Sequence, residues 1–135
     1  MRLLKVICFA VGLAAMSASA ALAQSASDLS GVWQGVYWGG ANQTTSFQAT
    51  LHDAPGSAFD GSTVEVNNFG DHNAPFLLAT LQGEVQGDQI RFSKTYDGTA
   101  SVAHQVIYTG HFVSDRRIVG TWSLGATSGQ FEMAR

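Results

Sequence analysis

The residues with most chemical content in this chain are one lysine, one glutamate and three tyrosines. Lys94 stands in the run Ile90-Arg91-Phe92-Ser93-Lys94-Thr95-Tyr96. In an extended segment, residues two apart share a face. Lys94 therefore shares the face of Ile90, Phe92 and Tyr96. Either it is carried inward with them, or it sits near a strand end and reaches back to water along its own stem. An inward ammonium needs a counter-ion, because an unpaired buried charge is costly. Glu65 is the candidate, in phase with Phe59, Gly61 and Thr63. Tyr37, Tyr96 and Tyr108 supply hydroxyls around such a pair. The chemistry would be that of a polar cluster at the floor or mouth of a cavity, holding a ligand's acidic or carbonyl group.

Other reactive types are present without the spacing that chemistry demands. His52, His72, His104 and His111 show no helical His-x-x-x-His pair and read as surface residues, so no metal is expected. Glu84 falls out of phase with Leu77, Ala79, Leu81 and Val85 and faces water, which separates it from Glu65 as a carboxylate pair. No Gly-x-Ser-x-Gly element and no glycine-rich phosphate loop with its lysine occurs. No catalytic residue and no cofactor is assigned.

The elements that must position the cluster read as strands. Glycine, 15 residues in all, recurs too often for long helices, and period-two alternation is repeated along the chain. Eight strands are predicted: Gly31–Trp38, Ser46–His52, Gly61–Asn67, Phe76–Val85, Gln89–Tyr96, His104–Val113, Arg117–Leu124 and Gly129–Arg135. Turn residues separate them, Asp97-Gly98 most plainly. The connectors Asp53–Asp60 and Asn67–Pro75 are the long ones. Eight short strands in one domain over residues 24–135 suit an all-β fold, an antiparallel up-and-down barrel. Closure removes the exposed edges of an open sheet. A two-sheet β-sandwich is the alternative. The more apolar faces are assigned inward: Trp33, Gly35 and Tyr37; Ile90, Phe92, Lys94 and Tyr96; Val106, Tyr108, Gly110 and Phe112; Ile118, Gly120, Trp122 and Leu124; Phe131 and Met133. The inward glycines Gly35, Gly110 and Gly120 leave room for a neighbouring ring, a bend or a ligand. Trp38, in the opposite phase to Trp33, is placed outside the barrel or at its first turn.

The pattern resembles the calycin-type barrels, the lipocalin and avidin relatives. Gly31-Val32-Trp33 is similar to their first-strand Gly-x-Trp, whose tryptophan plugs one barrel end. Tyr108-Thr109-Gly110-His111-Phe112 and Gly120-Thr121-Trp122-Ser123-Leu124 resemble the sixth and seventh avidin strands. Gly35 stands where avidins carry a polar residue, and the set that holds biotin has no counterpart. The resemblance thus implies the barrel and not the biotin. The wider outline, Gly-x-Trp-x-Gly-x-Tyr, Ile-x-Phe-x-Lys-x-Tyr, Tyr-x-Gly, Gly-x-Trp and Gly-x-Phe, also resembles a family of small secreted bacterial proteins of unassigned role.

Residues 1–23 read as an export signal. Arg2 and Lys5 precede an apolar stretch from Val6 to Met16, and Ala21-Leu22-Ala23 is a small-x-small cleavage site. Ser17 and Ser19 interrupt the stretch too early for a membrane span. Cleavage removes Cys8, the chain's one cysteine, and takes the net charge from −3 to −5 by the loss of Arg2 and Lys5. The expected location is periplasmic or extracellular. An acidic chain is a poor partner for nucleic acid or anionic membrane, and the sequence sets no oligomeric state. The first functional reading is a non-enzymatic barrel that holds a small apolar or aromatic ligand, with Trp33, Tyr37, Glu65, Phe92, Lys94, Tyr96, Tyr108 and Trp122 as its binding residues. The second is a protein-binding module, an inhibitor or envelope assembly factor, with a solid core and working loops. The third is an enzyme that uses Lys94 and the tyrosines for proton transfer.

Overall fold

The computed structural model describes residues 29–40 and 42–135, apart from the side chains of residues 42 and 43. The export segment expected over 1–23, Cys8 included, lies outside the described residues. Eight strands follow in order: β1 (Gly31–Gly39), β2 (Asn42–Asp53), β3 (Ala58–Val66), β4 (Phe76–Gln86), β5 (Gln89–Tyr96), β6 (Gln105–Ser114), β7 (Arg117–Leu124) and β8 (Thr127–Ala134). Each pairs antiparallel with the next. β8 returns to β1 along a ladder from Gln34↔Ala134 to Trp38↔Gln130, which closes the barrel and excludes the sandwich. Among the described residues no helix is long and apolar enough to cross a membrane.

The period-two pattern sets the two faces. In β4, Leu77, Ala79, Leu81 and Val85 are buried while Leu78, Thr80, Gln82 and Glu84 are exposed. In β5, Ile90, Phe92, Lys94 and Tyr96 are buried. Two expected inward residues lie at the margin: Phe112 is only partly buried, and Leu124 stands exposed at a barrel rim. The long connector expected over Asp53–Asp60 is instead a short turn. Phe59 is buried in the core and pairs opposite Asp53, so burial of its ring draws Ala58–Asp60 into β3. The Asn67–Pro75 segment remains a loop, and a short 3-10 turn, Thr99–Ser101, joins β5 to β6.

One barrel end is closed and its adjoining interior is solid. The Trp33 ring is fully buried there, and its Nε1 donates to the Leu29 carbonyl at 2.9 Å. The Arg135 guanidinium lies 4.6 Å from the centre of that ring, a cation–π contact that brings the chain's last residue over its first strand. Above it, Phe92 and Tyr108 stack at 4.8 Å, and Phe131 meets both edge-on at 5.9 and 5.0 Å. Glycine makes this packing possible. A Cβ at Gly110 or Gly120 would collide with the Phe131 ring and with neighbouring backbone. A Cβ at Gly35 would occupy the place of the Phe47 ring. The space left by all three inward glycines is thus filled by neighbouring rings.

Candidate functional site

The opposite barrel end is formed by the β1–β2, β3–β4, β5–β6 and β7–β8 connections, and the interior just beneath it holds the polar cluster. Alternation carries Glu65 inward from β3 and Lys94 inward from β5. They are 2% and 1% exposed. The Lys94 ammonium donates to Glu65 Oε1, and the Tyr37 hydroxyl donates to Glu65 Oε2 at 2.6 Å. The pairing read from strand phase is therefore present. The alternative of a lysine reaching back to water is overturned, because Tyr96 and the β5–β6 turn continue the wall beyond Lys94. Four rings enclose the ammonium: Nζ lies 4.8 Å from the centre of Tyr96, 5.1 Å from Tyr37, 5.3 Å from Phe47 and 6.0 Å from Tyr108. Ring faces carry negative potential and so complete a shell that water would otherwise supply.

Electrostatics follow from the burial. Removal from water pulls the Lys94 ammonium below its ordinary value, and the Glu65 carboxylate opposes that pull. The phenols move the other way. Burial first, then the Glu65 charge, raises Tyr37 and Tyr96 well above the usual phenol range. Burial, with smaller effects from Tyr37 and Glu65, raises Tyr108 likewise. The cluster thus offers neutral phenols around an internally balanced ion pair. Thr63, inward on β3 two residues before Glu65, is buried with its hydroxyl unpartnered among the described residues.

A cavity of about 440 Å³ opens above this cluster. Tyr37, Tyr96 and Tyr108 form its inner wall, with Thr45, Val106 and Trp122 beside them and the exposed Leu124 and Thr127 nearer the rim. Asn68, Phe69 and His104 complete the lining from the connections. Phe69 meets Tyr96 edge-on at 5.9 Å, and Tyr96 meets His104 at 4.9 Å. The Phe69 loop is a built element. Asn67 Nδ2 donates to the carbonyls of Asp71 and Ala74 at 2.7 and 2.8 Å, and its Oδ1 accepts from Gly70 N at 2.7 Å. Asp71 N donates to the Ala100 carbonyl, Ser101 Oγ donates to Asp71 Oδ2, and Asn68 Nδ2 donates to Thr45 Oγ1 at 3.1 Å. The loop is thereby fastened to the next connection and to β2. Ala100 and Ser101 hold φ of 54° and 61° there, a left-handed conformation that non-glycine residues rarely adopt.

Of the eight expected binding residues, Tyr37, Tyr96, Tyr108 and Trp122 line the cavity. Glu65 and Lys94 belong to the cluster beneath it. Trp33 closes the far barrel end, and Phe92 stacks under Tyr108 in the solid core, so neither lines the cavity. Trp38 is half-buried, and its carbonyl accepts from Trp122 Nε1 at 3.0 Å, which fixes the Trp122 ring at the mouth. Thr45, Asn68, Phe69, His104, Val106, Leu124 and Thr127 were not expected as binding residues. Thr45 had a legible signal, being in phase with Phe47, Ala49 and Leu51. Phe69 had one too, as an apolar ring in an unusually long connector.

The chain matches no protein-family model and no curated protein. It is similar in fold to three solved designed barrels. One redesigned β-barrel superimposes with a TM-score of 0.71 at 14% identity, over 85% of this chain and 97% of the other. The redesigned barrel mFAP1, solved bound to DFHBI, gives 0.67 at 12% identity over 82% and 97%. A de novo designed fluorescence-activating β-barrel gives 0.65 at 10% identity over 82% and 95%. At these identities the likeness is one of fold.

Two predictions follow from the buried pair and its phenols. Lys94→Met leaves the Glu65 carboxylate buried without a counter-ion and lowers stability by about 3–5 kcal/mol, whereas Lys94→Met with Glu65→Leu recovers most of that loss. Chemical denaturation of the two variants checks this, and equal losses would contradict it. The second concerns pH. All three tyrosines of the chain belong to the cluster, and the fold raises all three above the unfolded phenol value. Their contribution is fully present below about pH 10 and is lost as pH climbs from there toward the folded values. Ultraviolet phenolate absorbance should stay absent roughly one pH unit above the ordinary phenol value and appear together with unfolding. A smooth titration of native tyrosines near that value would contradict the cluster.

Proposed function

We propose that this chain is an exported, non-enzymatic barrel that binds a small, partly apolar ligand in the mouth lined by Tyr37, Tyr96, Tyr108 and Trp122. The observation that carries the reading is the cavity of about 440 Å³, within the range of ligand sites, with mostly aromatic walls and a few polar atoms. The fastened Phe69 loop supports it, because it shapes a mouth over an otherwise solid barrel. A protein binder with a solid core accounts for the filled half of the barrel but gives no reason for an aromatic cavity at the other end. The burial of Lys94 under the phenols favours binding over proton transfer, since its ammonium is committed to Glu65 and does not line the cavity.

Export is supported by the basic start, apolar stretch and small-x-small site of residues 1–23. Kinship with the calycin-type barrels is supported by the Gly31-x-Trp33 element, whose ring closes one end beneath Arg135.

The test uses N-phenylnaphthylamine, an uncharged probe whose emission rises in apolar surroundings. It should bind the protein one to one, and Val106→Phe, which fills the cavity from its wall, should weaken it at least tenfold while circular dichroism stays unchanged. Lack of binding by the folded protein, or equal binding by the variant, would overturn the reading.

A further inference from the structure

We infer that the ligand class of the mouth is an uncharged, planar aromatic molecule carrying one hydrogen-bond acceptor, which sits on the Tyr108 hydroxyl. The inference rests on the cavity reading above and narrows it. Charge is the first consideration. Among the described residues no Asp, Glu, Lys or Arg lines the cavity, and His104 at the rim is its one ionisable basic group. The nearest full charges, Glu65 and Lys94, already neutralise each other beneath the phenols. An anionic ligand would approach a carboxylate whose cation is taken. A cationic one would approach an ammonium in the same position. Either would give up its hydration without a free counter-ion, whereas a neutral molecule would not meet that cost.

The second consideration is the unspent hydrogen bond. Tyr108 is 2% exposed and lines the cavity. Its hydroxyl has no hydrogen-bond partner among the described residues, unlike that of Tyr37, which is committed to Glu65. A buried phenol is held in its protonated form here, and a neutral phenol is a better donor than acceptor. A ligand carbonyl satisfies it, while a hydrocarbon of the same shape leaves the donor unpaired.

The third is shape. Tyr37 and Trp122, on β1 and β7, meet edge-to-face at 6.3 Å on one side of the mouth. Tyr96 on β5 and Phe69 stand on the other, since β1 and β5 are four strands apart in a closed ring of eight. Two aromatic walls facing each other suit a flat ring system.

Four naphthalenes of matched size separate the possibilities: acetylnaphthalene, ethylnaphthalene, naphthoate and naphthylmethylammonium, each titrated into the protein by calorimetry. Acetylnaphthalene should bind about fivefold tighter than ethylnaphthalene, as one hydrogen bond would give, and at least tenfold tighter than either ion. Tyr108→Phe should erase the acetyl preference, weakening acetylnaphthalene through loss of its hydrogen bond and tightening ethylnaphthalene, which no longer buries an unpaired hydroxyl. Equal or tighter binding of an ion, or an acetyl preference that survives Tyr108→Phe, would overturn the inference while leaving the cavity reading intact. Failure of all four to bind the folded protein would overturn the cavity reading and the inference with it.

Discussion

An ammonium and a carboxylate removed from water inside a barrel impose conditions on everything near them. Each would cost several kcal/mol alone, and together they persist only with close pairing and further hydrogen bonds or ring faces around them. The Lys94–Glu65 contact meets those conditions through Tyr37, which fills the second carboxylate oxygen, and through four rings around Nζ. Five of the eight strands or their neighbours supply these groups. The pair therefore ties β3 to β5 over the intervening β4 and positions the phenols that become the wall of the mouth.

This arrangement divides the interior. Toward Trp33 the barrel is filled by rings admitted over glycine, and Arg135 seals the end. Toward the other end the cluster acts as a floor. Side chains above it do not meet in the middle, and a cavity results. Tyr108 belongs to both halves: its ring stacks on Phe92 below, and its face toward the mouth is cavity wall. The functional reading depends on this division, since a barrel solid throughout would hold no ligand.

Much of this was legible in the residues. Period-two alternation located eight strands, and the phase of Lys94 with Phe92 and of Glu65 with Thr63 offered a pair between residues 29 positions apart, against the alternative of a lysine reaching back to water; the burial of both side chains decides for the pair. What alternation could not supply was depth along the barrel. Trp33, Phe92, Tyr96 and Trp122 all point inward, yet only the last two reach the cavity, because distance from the mouth depends on strand stagger and shear, which one sequence does not reveal. The same limit hid Val106 and Thr127. Phe59 shows a different failure. Turn residues Asp53-Ala54-Pro55-Gly56 suggested a long connector, but burial of one ring extended β3 to meet it. The loop residues Asn68 and Phe69 reach the site through hydrogen bonds of Asn67 and Asp71, which are tertiary contacts without a sequence period.

The central claim is that Lys94 is a caged partner of Glu65 beneath a phenol layer. Lys94 is the one lysine between residues 29 and 135, so a side-chain nitrogen NMR experiment on the barrel reads it without ambiguity. The account predicts an ammonium signal protected from exchange with water, with nuclear Overhauser contacts to the ring protons of Tyr37, Tyr96 and Tyr108. A freely hydrated, rapidly exchanging ammonium with no aromatic neighbour would contradict it.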